Sequence, residues 1–297
     1  MKRFRLLFVF AFLASVSGHT IAQQKLQVIE KMIEKDIPAD KVEAIKIVCE
    51  KADVRIQGWS QNYIKLSLKL TARHENKEVA SRELSYIKYA ITHEDGIVEF
   101  RNIFDFPGEV TYVKSALSVF YDIKIPFRIL LQLDGKYSNI ELTDLTDEVD
   151  GTFEFGNVKL NKLSGKVKLN STYADVIGHD INATFFCRTD KANIYLENLR
   201  GSYRINSSFG TVVILPKNVL SDLTIFADRT ATDISIDDFD AYSYSLSTNH
   251  GVIDIKYESY ARKIITTDKS QYFNLKSKAG KPLIKIFTSY NKITLNK

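Results

Sequence analysis

The stretch Tyr137-Ser138-Asn139-Ile140-Glu141-Leu142 returns as Phe155-Gly156-Asn157-Val158-Lys159-Leu160 and again as Tyr173-Ala174-Asp175-Val176-Ile177-Gly178. Two further copies are Lys191-Ala192-Asn193-Ile194-Tyr195-Leu196 and Phe209-Gly210-Thr211-Val212-Val213-Ile214. They begin at 137, 155, 173, 191 and 209, a constant step of 18 without an insertion. A fixed period of this length marks a repeat architecture, whose single unit cannot bury its apolar face alone.

The aligned columns carry the fold. Ile140, Val158, Val176, Ile194 and Val212 form one apolar column, and Leu142, Leu160, Gly178, Leu196 and Ile214 a second two residues on. Such alternation has the period of a strand. Leu133, Gly151, Leu169, Cys187 and Ile205 make another inward column, and Leu145, Leu163, Ile181 and Leu199 one more. Ser138, Gly156, Ala174, Ala192 and Gly210 are all small, as a tight corner requires, and the Asn/Asp/Thr residues that follow suit a turn backbone. Each unit therefore reads as two short strands and two corners, and stacking supplies the neighbours that the inward residues need. The expected fold is all-β: a parallel β-solenoid, β-helix-like, with 18-residue coils.

Working outward, regular coils span 131–215 and irregular coils 216–297, the latter through Thr232–Ile236, His250–Ile255 and a closing strand at Ser289–Leu295. Upstream, Lys51–Trp59 looks like a separated copy of the strand-turn unit, Tyr63–Ala72 and Ile97–Ile103 alternate like strands, and Lys77–Tyr86 has helical spacing. Residues 25–35 fit a helix or a capping strand equally. Residues 23–120 are expected to form an N-terminal β-rich cap with a short helix, which an open stack end needs against edge-to-edge aggregation.

The run from Tyr121-Asp122-Ile123-Lys124-Ile125-Pro126 through the repeats, with Val54–Trp59 and the Ala80–Ile87 helix, resembles the bacterial putative-adhesin domains of unknown function. These are exported β-solenoid proteins related to auto-transporter-adhesin head domains. The resemblance covers most of 45–297 and implies an adhesin-like domain over 121–297. It carries no catalytic residue across. In two places this chain departs from the pattern: Lys191 replaces the aromatic residue, and Gly178 the second apolar one.

The N-terminus has the form of a secretory signal peptide over 1–22: basic Lys2, Arg3 and Arg5, an apolar Leu6–Val16 run, and small residues before Gln23. The run is too short to span a bilayer, so no transmembrane anchor is expected in the mature chain. That segment holds three basic and no acidic residues, so its removal leaves 38 basic against 36 acidic side chains and lowers the formal net charge from +5 to about +2. A nucleic-acid partner, which calls for a clustered positive surface, is not expected. Export places the protein in the periplasm, at the outer membrane or outside the cell, where Cys49 and Cys187 could pair; the inward column of Cys187 favours a buried free thiol.

Reactive constellations are absent. His74, His93, His179 and His250 lack ligand spacing, so no metal or other cofactor is expected. The acidic residues Asp144, Asp147, Glu148 and Asp150, and Asp233, Asp237, Asp238 and Asp240, read as solvated corners. Two Ser-x-x-Lys matches, at Ser85–Lys88 and Ser289–Lys292, lack the companion motifs of a Ser nucleophile. One surface feature invites contact: the outward column 141, 159, 177, 195, 213 turns apolar at Ile177, Tyr195 and Val213. The expected function is a non-catalytic, exported cell-envelope protein that binds an envelope protein or a surface glycan through a rigid β-surface; the competing readings are a solenoid carbohydrate-active enzyme and a periplasmic scaffold.

Overall fold

A computed structural model describes residues 26–108, 112–276 and 280–297. The signal-peptide segment 1–22 lies outside the described residues. Strands β1 (Gln27–Pro38), β2 (Ala44–Glu50), β3 (Ala52–Trp59) and β4 (Tyr63–His74) precede helix α1 (Lys77–Leu84). Then come β5 (Ile87–Glu94), β6 (Ile97–Phe104), β7 (Ala116–Pro126), β8 (Leu130–Thr143), β9 (Glu148–Asn161), β10 (Ser164–Asp190) and β11 (Ile194–Ser208). They are followed by β12 (Thr211–Leu215), β13 (Asp222–Asp228), β14 (Ala231–Ser235), β15 (Ser243–Asn249), β16 (Val252–Ile255) and the single-turn α2 (Glu258–Ala261). The chain ends with β17 (Ile265–Thr266), β18 (Ser270–Leu275), β19 (Leu283–Ser289) and β20 (Lys292–Asn296). The fold is all-β, in one large sheet of mixed pairing. No helix among the described residues is long and apolar enough to cross a membrane.

Through the body of the sheet the pairing is parallel and follows the sequence period. Ile140 faces Val158, Val158 faces Val176, Val176 faces Ile194 and Ile194 faces Val212. The strands divide into two ladders. The first runs β5–β6–β2–β8–β9–β10–β11–β13–β19–β15–β18–β17, and the second β1–β4–β7–β3–β8–β9–β10–β11–β12–β14–β20–β16. Strands β8 to β11 belong to both because β8, β9 and β11 each turn a corner midway and β10 turns two, at Tyr173 and Asp180. Inward residues of both ladders share one hydrophobic core.

The corners explain two sequence columns. Tyr137, Phe155, Tyr173, Lys191 and Phe209 all have φ between 52° and 57°, so each unit turns through a left-handed residue at the same place. The small residue that follows lies against the backbone of the preceding unit: a Cβ on Gly156 would sit 2.1 Å from the Ser138 carbonyl oxygen. A second set of left-handed corners, Asp144, Lys162, Asp180 and Asn198, marks the other turn.

One expectation is corrected. The sheet is not parallel throughout: β1, β4 and β5 at one end and β17 and β18 at the other pair antiparallel. These strands cover edges that would otherwise offer unpaired amides, and the outermost, β1, is studded with Glu30, Lys31, Glu34, Lys35 and Asp36. The segment 25–35, equally open to helix and strand, is the strand. The chain ends, as expected, in a strand, β20, and β19 and β20 insert between β13/β14 and β15/β16. At Gly178, which stands in place of the second apolar residue, a Cβ would meet Leu196 Cδ2 at 2.6 Å, so the leucine occupies the space.

Helix α1 begins at Asn76, whose side chain accepts hydrogen bonds from the amides of Glu78 (2.8 Å) and Val79 (3.2 Å). Its buried Glu83 accepts from the amides of Lys114 and Ser115, the latter at 2.6 Å, and so ties the helix to the chain entering β7. Cys49 and Cys187 are both buried and unpaired. Burial pushes their thiols up, to about 11 and about 12 respectively.

Candidate binding surfaces

The column containing Ile177, Tyr195 and Val213 points outward from the second ladder, in consecutive register. All three side chains are partly exposed. The column continues through Lys159, Glu141 and Arg55 on one side and Asp233, Thr294 and Asp254 on the other. The apolar segment is thus an island between charged neighbours. Tyr195 donates from its hydroxyl to Glu197 Oε2 at 3.2 Å, and the same carboxylate meets His179 Nδ1 at 3.3 Å and Lys217. Burial and the Glu197 bond raise the Tyr195 hydroxyl pKa, while Lys217 lowers that of Glu197. His179 thus joins Tyr195 and Lys217 around the Glu197 carboxylate.

A second feature runs along the left-handed corner. Tyr137, Phe155 and Tyr173 stack with ring centroids 4.8 and 5.0 Å apart and planes within 5°. The next unit replaces the aromatic by Lys191, whose ammonium lies 4.9 Å from the Tyr173 ring centroid and donates to its hydroxyl at 2.7 Å. Beyond it, Arg229 lies over both Phe209 and Tyr290, and Tyr290 stacks on His250 at 5.1 Å. The Lys191 substitution thus extends the row as a cation–π contact rather than interrupting it. Because ring faces within the row are turned on one another, the row stabilises the corner.

The third feature was not anticipated from the sequence. Phe226 and Phe287 face each other across β13 and β19; beyond them Ser247 and Tyr272 continue the same outward column. The three rings are 42%, 41% and 40% exposed.

The acidic segments are largely engaged by neighbours. Glu148 and Asp150 pair with Lys166 and Lys168 one unit on, at 2.6 and 2.8 Å. Asp238 caps a short turn through the Asp240 amide at 3.0 Å, and Asp240 accepts from the Tyr260 hydroxyl at 2.6 Å. Among the described residues no three His, Cys, Asp or Glu side chains gather as a metal would need.

The sequence matches no protein-family model, and no curated protein matches it. Solved structures do. A crystal structure of a putative adhesin from Parabacteroides merdae aligns with a TM-score of 0.52 at 10% identity, over 90% of this chain and 97% of that one. Another, from Parabacteroides distasonis, aligns with a TM-score of 0.47 at 12% identity, over 89% and 97%. The first likeness shows a shared fold.

Proposed function

We propose that the protein is a non-catalytic, exported cell-envelope protein that uses a rigid β-surface for binding, in the manner of an adhesin. In this reading residues 121–297 form a β-solenoid of 18-residue coils, and 23–120 form its cap. Compartment follows from the signal-like N-terminus and is periplasmic, outer-membrane-associated or extracellular. The observation that carries the reading is the island of Ile177, Tyr195 and Val213, partly exposed on consecutive strands and bordered by charge. Apolar surface of this kind marks contact sites, and its partner is an envelope protein; the surface glycan remains for the opposite ladder. The engaged carboxylates of both acidic segments weigh against a carbohydrate-cleaving alternative.

The test is a photo-crosslinking amino acid at position 195, expressed in the native cell, with products identified by mass spectrometry. A discrete adduct that disappears in the Ile177→Asp/Tyr195→Ser double variant is expected. Crosslinks that are absent or unchanged in the double variant would refute the assignment, and loss of folding would show that the island is a packing element.

A further inference from the structure

The outer surface of the first ladder is a grid of three parallel columns. The middle one runs Arg188, Asn206, Phe226, Phe287, Ser247, Tyr272 across six adjacent strand segments. At a strand spacing of about 4.8 Å, the span from Phe226 to Tyr272 is about 14 Å, the length of a short oligosaccharide. The rings point to solvent, and none of them stacks on another described ring, in contrast to the corner row.

Charge is divided across the grid: the cations lie in the middle column and one flanking column, while Asp190 and Asp228 lie in the other flanking column. Arg188 lies on the middle column, and Arg204 and Lys285 lie on the column beside it, with Thr224 between them. None of the three cations has an acidic partner among the described residues. On the other side Asp228 is already held by Arg229 at 3.2 Å and accepts from the Ser289 hydroxyl at 2.5 Å. Arg188, Asn206, Phe226 and Phe287, together with Asp228 and Ser289, line an open groove of about 390 Å³.

We infer that this face is a binding platform for an acidic polysaccharide. The C–H face of a sugar ring packs on an exposed aromatic ring by dispersion, and a carboxylate on that sugar finds an unpaired guanidinium or ammonium within the same grid. A lipid partner would call for continuous apolar surface, whereas here Ser247 separates the adjacent Phe226 and Phe287 from Tyr272, and hydroxyl, amide and charged groups flank all three rings. The assignment deepens the binding reading and rests on it only for the compartment; its site and its ligand are separate from the Tyr195 island.

Affinity electrophoresis of the full chain tests it, using oligogalacturonate, alginate and hyaluronan as acidic probes. Methyl-esterified oligogalacturonate and oligothymidylate serve as controls. Expected are retention by at least one acidic probe, weakening with salt, and about tenfold weaker binding to the ester than to oligogalacturonate if that is the probe retained. Phe226→Ser/Phe287→Ser should lower affinity about tenfold or more, the scale of a lost anchor, and Arg188→Gln/Lys285→Gln should do so without touching the rings. Ile177→Asp/Tyr195→Ser should bind as the wild type does. Retention by no acidic probe, equal binding of the ester, unchanged binding in either platform variant, or preference for oligothymidylate overturns the inference. None of these outcomes bears on crosslinking at position 195.

Discussion

Phe155 lies at the middle of the corner stack, and replacing it separates two opposed effects. Its φ of 57° is a left-handed conformation, which costs a non-glycine residue about 1–2 kcal/mol. Against that, its ring stacks on Tyr137 at 4.8 Å and on Tyr173 at 5.0 Å. Each such pair contributes about 0.5–1.5 kcal/mol, so the two together contribute about 1–3 kcal/mol. Phe155→Ala keeps the strain and loses both stacks, and it should destabilise by about 1–3 kcal/mol. Phe155→Gly loses the same stacks but relieves the strain. Extra freedom in the unfolded chain takes back about 0.5–1 kcal/mol of that gain, leaving the glycine variant the more stable of the two by up to about 1.5 kcal/mol. Urea unfolding monitored by far-UV circular dichroism reads both as shifts in midpoint at constant slope. An alanine variant as stable as the wild type would refute the stacking contribution, and a glycine variant less stable than the alanine one would refute the strain.

Three further outcomes follow from the interior. Cys49 and Cys187, with thiols pushed up to about 11 and about 12 by burial, should resist a thiol-reactive dye at pH 8 in the native protein and both react in denaturant; native labelling of either would contradict the packing. For Glu83, burial alone would raise the carboxyl pKa, but hydrogen bonds from Ser115 and Lys114, with Arg82 nearby, outweigh it and hold it below its ordinary value. A depressed folded pKa means stability present above the unfolded value of about 4.3 and lost as pH falls through the folded one. Glu83→Gln should therefore destabilise at pH 7, with the gap to wild type narrowing in acid; a gap independent of pH would count against this account. Gly178→Ala places a Cβ 2.6 Å from Leu196 Cδ2 and should cost about 1–3 kcal/mol by overpacking, checked by the same urea titration. A neutral result would mean that Leu196 has room to move.

Much of the body was legible in the sequence because strand alternation and an 18-residue step both act locally. A residue such as Val158 must point inward if Lys159 points out, and its neighbours above and below follow by counting. The parallel register of β8 to β12 agrees with that counting residue for residue. The corner aromatics also stood in the repeat, at 137, 155, 173 and 209, but their mutual stacking depends on the left-handed turn that aims them along the stack. Strand β1 was ambiguous because Leu26, Ile29, Met32 and Ile33 satisfy helical spacing. Antiparallel pairing with β4 decides it, since the edge of β4 requires backbone partners that a helix cannot supply.

The sequence by itself determined that this chain is all-β, which residues face its core, and where each unit turns. Those properties are set by alternation and by corner chemistry within a few residues. Tertiary structure alone decided the order of the last strands and with it the exposed ring column. Phe226 and Phe287 are 61 positions apart, and Tyr272 lies between them in sequence but beyond both in space, because β19 enters the stack ahead of β15. No period records such an insertion. The backbone of β13 accepts any strand with a matching inward pattern, and the choice falls to the strand that best completes the shared core.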